Sequence, residues 1–197
     1  LLPAHLNPST GLVPPEAPPP APPGIVSPAD MAALLAAADP LTLRWLVFGG
    51  FAGLRSSETS RLRWEDIRWE EGQLYVSPGK TKNAERWVTL HAPVFALRRV
   101  LAPATGLVLA GLGSTPLQRR RARTFKAAAV WPPANALRHS FGSYHLAAFN
   151  DPAKTAVEMG HHSPAQTFAA YRRAVTRAAA AAWWSLPAAP AKPTTPG

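Results

Sequence analysis

The chain has 197 residues, enough for one well-buried core, and its 21 Lys+Arg against 11 Asp+Glu give a formal charge of +10. That excess favours a polyanionic partner, because neutralising phosphates releases condensed counterions, and 16 of the 21 basic residues are the arginines that suit forked phosphate contacts. The absence of cysteine excludes disulfides and thiolate zinc sites, no apolar run reaches the ~18 residues of a membrane span, and no signal peptide is visible.

Residues 1–24 hold the proline cluster Pro14-Pro15, Pro18-Pro19-Pro20 and Pro22-Pro23, which reads as a polyproline-like linker without a core. The tail over 187–197 reads similarly and is expected to be disordered, which leaves 25–186 as the expected domain. Such a linker fits a junction to a further N-terminal domain, which is expected to lie outside this chain because it begins at Leu1. Ser27-Pro28-Ala29-Asp30 predicts a helix start, with a serine cap, proline at the first position and an acid at the third. Asp39-Pro40 opens a second helix, through Leu41 to Phe48, that is apolar almost all round and therefore central. Gly49, Gly50 and Gly53 are expected to break or kink it before Arg55.

A short helix over 57–62 leads to β-rich runs at 73–77 and 85–90, joined by a polar stretch over 78–84, with a third strand over 67–69. Basic helices follow around 94–101 and 116–128. Over 135–150, Leu137, Phe141, Tyr144 and Ala148 form one apolar stripe at helical spacing. Asp151-Pro152 caps a helix ending at Gly160, Ser163-Pro164 starts one running towards Tyr171, and an Ala-rich helix ends at Trp183-Trp184. The expected fold is mostly α, with one antiparallel sheet of about three strands.

Three islands carry the chemistry: Gly53-Leu54-Arg55-Ser56-Ser57-Glu58, then Asn135-Ala136-Leu137-Arg138-His139, then Gly160-His161-His162 with Tyr171 ten residues after His161. In this order, with a lysine in a hairpin between the first two, they resemble the tyrosine recombinase family of phage-type integrases. The resemblance covers roughly residues 27–173. It implies a multi-helix catalytic domain whose catalytic positions fall on Arg55, Arg138, His161 and Tyr171. It implies DNA strand cleavage and rejoining through a covalent 3′-phosphotyrosine, with double-stranded DNA as partner and a homotetramer on DNA. Metal, cofactor, membrane and small-molecule substrate are not expected, and the setting is the cytoplasm of a bacterium, an archaeon or a phage host.

The residue types suit that reaction. Attack on a phosphodiester loads negative charge onto the non-bridging oxygens, which two fixed guanidiniums stabilise. A tyrosine nucleophile conserves the bond energy for rejoining. The leaving 5′-oxygen needs a proton donor, for which a hairpin lysine is suitable. Thr81-Lys82-Asn83 followed by Arg86 resembles the family's hairpin, one residue shorter, and selects Lys82. Lys80, on the same side of a strand, stays open.

Asn135 stands where the family usually has histidine. It cannot titrate, so its proton transfer falls to a lysine or to His161, and its residue type also predicts a helix cap. His139, opposite the apolar stripe, reads as an exposed or supporting residue. Arg119-Arg120-Arg121-Ala122-Arg123 with Lys126 reads either as a DNA-backbone contact or as a solvated helix face. Trp183 and Trp184 read as anchors for a neighbouring subunit or as core. Two alternatives stand beside an active recombinase: a catalytically weakened DNA-binding protein of the same fold, and a basic helical nucleic-acid-binding domain without catalysis.

Overall fold

Short polar caps start the helices. Ser27 accepts a hydrogen bond from the Asp30 amide at 3.1 Å and donates to its carboxylate at 2.8 Å, opening α1 (Pro28–Ala37). Asp39 accepts from the amides of Leu41 and Thr42 at 3.0 and 3.3 Å and opens α2 (Pro40–Phe51). In both, proline at the first position presets φ and has no N–H to leave orphaned. The computed structural model describes residues 24–77, 85–101, 105–161, 163–171 and 175–187. Lys80 and Lys82 lie outside the described residues.

The remaining elements are α3 (Ser56–Arg61), β1 (Ile67–Arg68), β2 (Gln73–Val76), β3 (Arg86–Thr89), α4 (Ala92–Leu101), α5 (Ser114–Ala128), α6 (Ala136–Phe149), α7 (Pro152–Met159), α8 (Pro164–Tyr171) and α9 (Arg177–Trp184). The expected mostly helical architecture with one small sheet is what the chain forms. The strands run antiparallel in the order β1-β2-β3, with Leu74 opposite Val88 and Tyr75 opposite Trp87. Strand alternation turns Leu74, Val76 and Val88 inward and Trp87 outward, under the Arg68 guanidinium at 4.3 Å. The same period carries Arg86 inward, two residues before Val88.

Apolar on all sides, α2 is the central helix and packs against α1, α3, α4, α5 and α6. It runs unbroken through Gly49 and Gly50 to Phe51, so the expected break does not fall at those two glycines. The interruption comes at Gly53, whose φ of +65° turns the chain towards Arg55. The second hub, α6, touches α2, α7, α8 and α9. Its buried face is wider than the predicted stripe, because Arg138, Ser140, Ser143 and His145 are enclosed as well. Trp183 is fully buried and stacks on Tyr144 with centroids 4.4 Å apart. Trp184 donates to the Tyr144 carbonyl at 3.2 Å. Both tryptophans therefore belong to their own chain's core.

A Cβ at Gly53 would stand 2.5 Å from Phe141 Cδ1, in a backbone region that L-residues rarely adopt. Gly53→Ala is expected to lower stability by about 2–4 kcal/mol through strain plus overpacking, read as a lower urea midpoint with an unchanged slope.

Candidate active site

Arg55 caps α3, and Glu58 three residues later folds back on it. The Arg55 amide donates to Glu58 Oε2 and its Nη1 to Oε1, both at 2.8 Å. From β3, Arg86 grips the same carboxylate with Nη1 at 3.1 Å and Nη2 at 3.0 Å, while its Nε donates to the Glu158 carbonyl at 2.6 Å. Glu58 and Arg86 side chains are each 4% exposed, against 43% for Arg55. The buried pair is therefore structural, and Arg55 is the guanidinium that faces outward. Burial alone would raise the Glu58 carboxyl, but Arg86 and the Arg55 amide outweigh it and hold its pKa at about 2.

Arg138, on α6, is buried and donates from Nη1 to the Gly53 carbonyl and from Nη2 to the Met159 carbonyl. Its guanidinium thus ties the loop before Arg55 to the end of α7. Burial, helped by the nearby Arg55 charge, lowers its pKa to about 10, which leaves it a cation at neutral pH.

The next residue, His139, is half-buried and not simply exposed: its Nδ1 lies 3.0 Å from the Tyr171 hydroxyl. Tyr171 itself is buried with Phe141, Leu146 and Met159. It comes close to α6 because residue 142 is glycine, where a Cβ would stand 2.8 Å from Tyr171 Cε2. On its other side lies the His161 ring, at 6.3 Å and 15° between planes. His161 Nδ1 shares a 2.8 Å hydrogen bond with the Thr167 hydroxyl. Burial, then the cations Arg138, Arg55 and Arg86, depress His161 to about 4, so it is neutral at pH 7. Burial and Arg138 lower His139 as well. For Tyr171, burial raises the phenol and outweighs the opposing Arg138 and Arg55 charges, so the resting hydroxyl keeps its proton.

Beside these groups a cleft is lined by Arg55, Arg138, Asn135, Arg121, Trp45 and Ser56, among others. Asn135 is exposed in the left-handed region at φ +58° and makes no side-chain cap to α6, contrary to the expected capping role. In that conformation its carboxamide does not reach the first-turn amides. Of the basic run on α5, Arg121 turns inward, with its guanidinium 3.9 Å over the Trp45 ring. Arg120 pairs with Asp39 at 3.2 Å, whereas Arg119 and Arg123 are exposed. Of the predicted residues, Arg55, Asn135 and Arg138 line this cleft, while His161 and Tyr171 lie beside each other outside its lining, within the field of Arg138 and Arg55. Sequence reading missed the Tyr171 contact of His139, the inward Arg121 and the Thr167 prop. Only Arg86 left a signal, through its spacing from Val88.

The phage integrase family model matches residues 28–177. The chain belongs to the phage integrase family. No curated protein sequence matches it. Among solved structures it is similar to the integrase from mycobacterium phage Brujita, at 26% identity and a TM-score of 0.59, over 92% of this chain and 64% of that one. It is similar to XerA recombinase at 20% identity and 0.61, over 80% and 61%. It is also similar to the Tn1549 transposon integrase in complex with circular intermediate DNA, at 19% and 0.60, over 85% and 67%. The chain thus spans about three fifths of the XerA recombinase. As a member of that family it has the tyrosine recombinase catalytic fold.

Glu58 tests the arrangement through pH. Its folded pKa lies below the unfolded value of 4.5, so its stabilisation is present above pH 4.5 and is lost as pH falls towards 2. Glu58→Gln is expected to cost about 3 kcal/mol at pH 7, and the gap to the parent should close between pH 4.5 and 2 in denaturation at stepped pH.

Proposed function

We propose that this chain, over residues 25–186, is the strand-cleaving and strand-joining domain of a site-specific DNA recombinase or integrase, with Tyr171 as the nucleophile. The Tyr171 oxygen attacks the scissile phosphorus, the bond to the 5′-oxygen breaks, and a 3′-phosphotyrosine forms beside a free 5′-hydroxyl. Attack by the 5′-hydroxyl of another strand reverses the step and restores the phenol. Because the phosphotyrosine conserves the bond energy, no nucleotide hydrolysis is required. What supports this reading most directly is one observation: the family's arginines, Arg55 and Arg138, line a cationic cleft, and their charges act on the adjoining His161 and Tyr171, whose rings lie 6.3 Å apart.

In this mechanism Arg55 and Arg138 hold the non-bridging oxygens, and Arg121 and Asn135, which line the same cleft, hold the neighbouring backbone. The phenol needs a base, and Asn135 cannot be one. His139, neutral and 3.0 Å from the hydroxyl, accepts that proton. Lys82, with Lys80 as the alternative, protonates the leaving 5′-oxygen. The partner is double-stranded DNA, a reading supported by the likeness to the Tn1549 transposon integrase in complex with circular intermediate DNA. Strand exchange proceeds in a homotetramer on DNA. Asn135 in place of histidine motivates one other reading, a weakened DNA-binding member of the family.

A nicked suicide DNA substrate separates the two. The parent chain is expected to yield a denaturation-resistant protein–DNA adduct, and its absence would reject the enzyme reading. Tyr171→Phe should give none.

His139→Gln should slow adduct formation by about 100-fold or more while binding DNA as tightly. An unchanged rate, or an unchanged pH dependence of that rate, would remove His139 as the base. Lys80→Ala and Lys82→Ala, compared on a substrate with a 5′-sulfur leaving group that needs no proton, identify the donor as the variant whose rate is rescued.

A further inference from the structure

Three polar side-chain atoms, from α6, α7 and the end of the sheet, converge on one buried point. Glu158 Oε2, from α7, lies 3.4 Å from His145 Nε2 on α6 and 3.7 Å from His91 Nε2 at the end of the sheet. All three side chains are at least about nine-tenths buried, with 5%, 0% and 11% exposure. None of the three atoms has a hydrogen-bond partner among the described residues, and all lie within 4.8 Å of one another.

The protonation pattern follows from the neighbours. Thr155 Oγ1 is 2.7 Å from the Asp151 carbonyl and 2.7 Å from His145 Nδ1. A carbonyl has no hydrogen, so the single hydroxyl proton of Thr155 goes to Asp151, and His145 Nδ1 must donate to Thr155. The neutral ring then presents a lone pair at Nε2, aimed at a carboxylate oxygen. Thr89 fixes the other carboxylate oxygen by donating to Oε1 at 2.7 Å. Two lone pairs facing each other in an interior walled by Phe149 and Trp184 are costly unless a cation stands between them. A hydroxyl that fixes a histidine tautomer from behind is also how metal-ligating imidazoles are oriented.

We propose that His91, His145 and Glu158 bind a divalent transition-metal ion of the zinc type. Two imidazole nitrogens and one carboxylate oxygen are a donor set for borderline cations rather than for calcium or magnesium. The site is structural. It joins the end of the sheet, α6 and α7, and α7 presents the Glu158 and Met159 carbonyls to Arg86 and Arg138. The ion would thereby hold the level of α7 against the arginines without touching the reacting atoms. This inference does not depend on the recombinase reading.

The test uses the full chain without a polyhistidine tag, stripped with chelator and titrated with Zn²⁺ against a chromophoric competitor. One equivalent is expected to bind, and at about a hundredfold excess over Kd to raise Tm by roughly 5–10 °C. Thr155→Val keeps all three ligands and should weaken binding about 10- to 100-fold. His91→Gln, at the edge of the cluster, should abolish the equivalent, with folding checked by circular dichroism. X-ray absorption at the zinc edge needs no variant and should show two imidazoles and oxygen ligands. Binding well below one equivalent, binding unchanged in His91→Gln or Thr155→Val, or a zinc edge without two imidazoles would each overturn the site. Sharing of a proton by the three groups, with no metal taken up, is the first of those outcomes.

Discussion

The grip of Arg86 on Glu58 is the constraint on which the site depends. Removing a carboxylate and a guanidinium from water costs several kcal/mol per ion, and only near-ideal geometry offsets it. Here the offset comes from two N–H···O contacts, an amide from Arg55 and a third donor passed to the Glu158 carbonyl. The pair therefore adds little net stability over an apolar substitute, yet losing either partner leaves a stranded charge. What it supplies is position. It fixes β3, α3 and α7 relative to one another, and Arg55 stands on the one of these that faces the cleft.

Arg138 performs the corresponding task from α6. Its two donors end on carbonyls of the loop at Gly53 and of α7, so neither of the two cations flanking the cleft relies on a flexible side chain alone. Holding Arg55, Arg86 and Arg138 close together has an electrostatic cost, visible in the histidines. His161 is driven down to about 4, and His139 falls too. A cationic field that suits a phosphate also keeps its imidazoles neutral, able to accept or donate a proton. Tyr171 responds oppositely, because burial in its small apolar cluster outweighs the same field and keeps the phenol protonated. The group in contact with that hydroxyl is His139, at 3.0 Å.

α7 links these parts. Its cap, Asp151, starts it, Gly160 ends it in a left-handed turn, and its last residues present two carbonyls to two arginines before delivering His161 beside Tyr171. It also carries the buried Glu158 into the histidine pair. One eight-residue helix thus touches both the cationic cluster and the acceptor cluster, so whatever holds its level also sets the arginine geometry.

The sequence by itself determined the elements and supplied the candidates for the site. Caps and proline placement located α1, α2 and α7, β-branched alternation located the sheet, and the three islands named Arg55, Asn135 and Arg138, which line one cleft, and His161 with Tyr171, which lie beside each other. Those signals are local, written within a few residues by the hydrogen-bonding needs of helix ends and the period of a strand. Tertiary structure alone decided the rest. Helix-wheel reasoning placed His139 away from the apolar stripe, but α8 covers that flank, and a contact across 32 residues leaves no local trace. Asn135 lost its expected cap because the backbone turned left-handed there, a choice set by how the chain enters a helix enclosed on several sides. Glu158, His145 and His91 look unremarkable in the chain. Their importance arises only because packing removes them from water, where each polar atom must then find a partner.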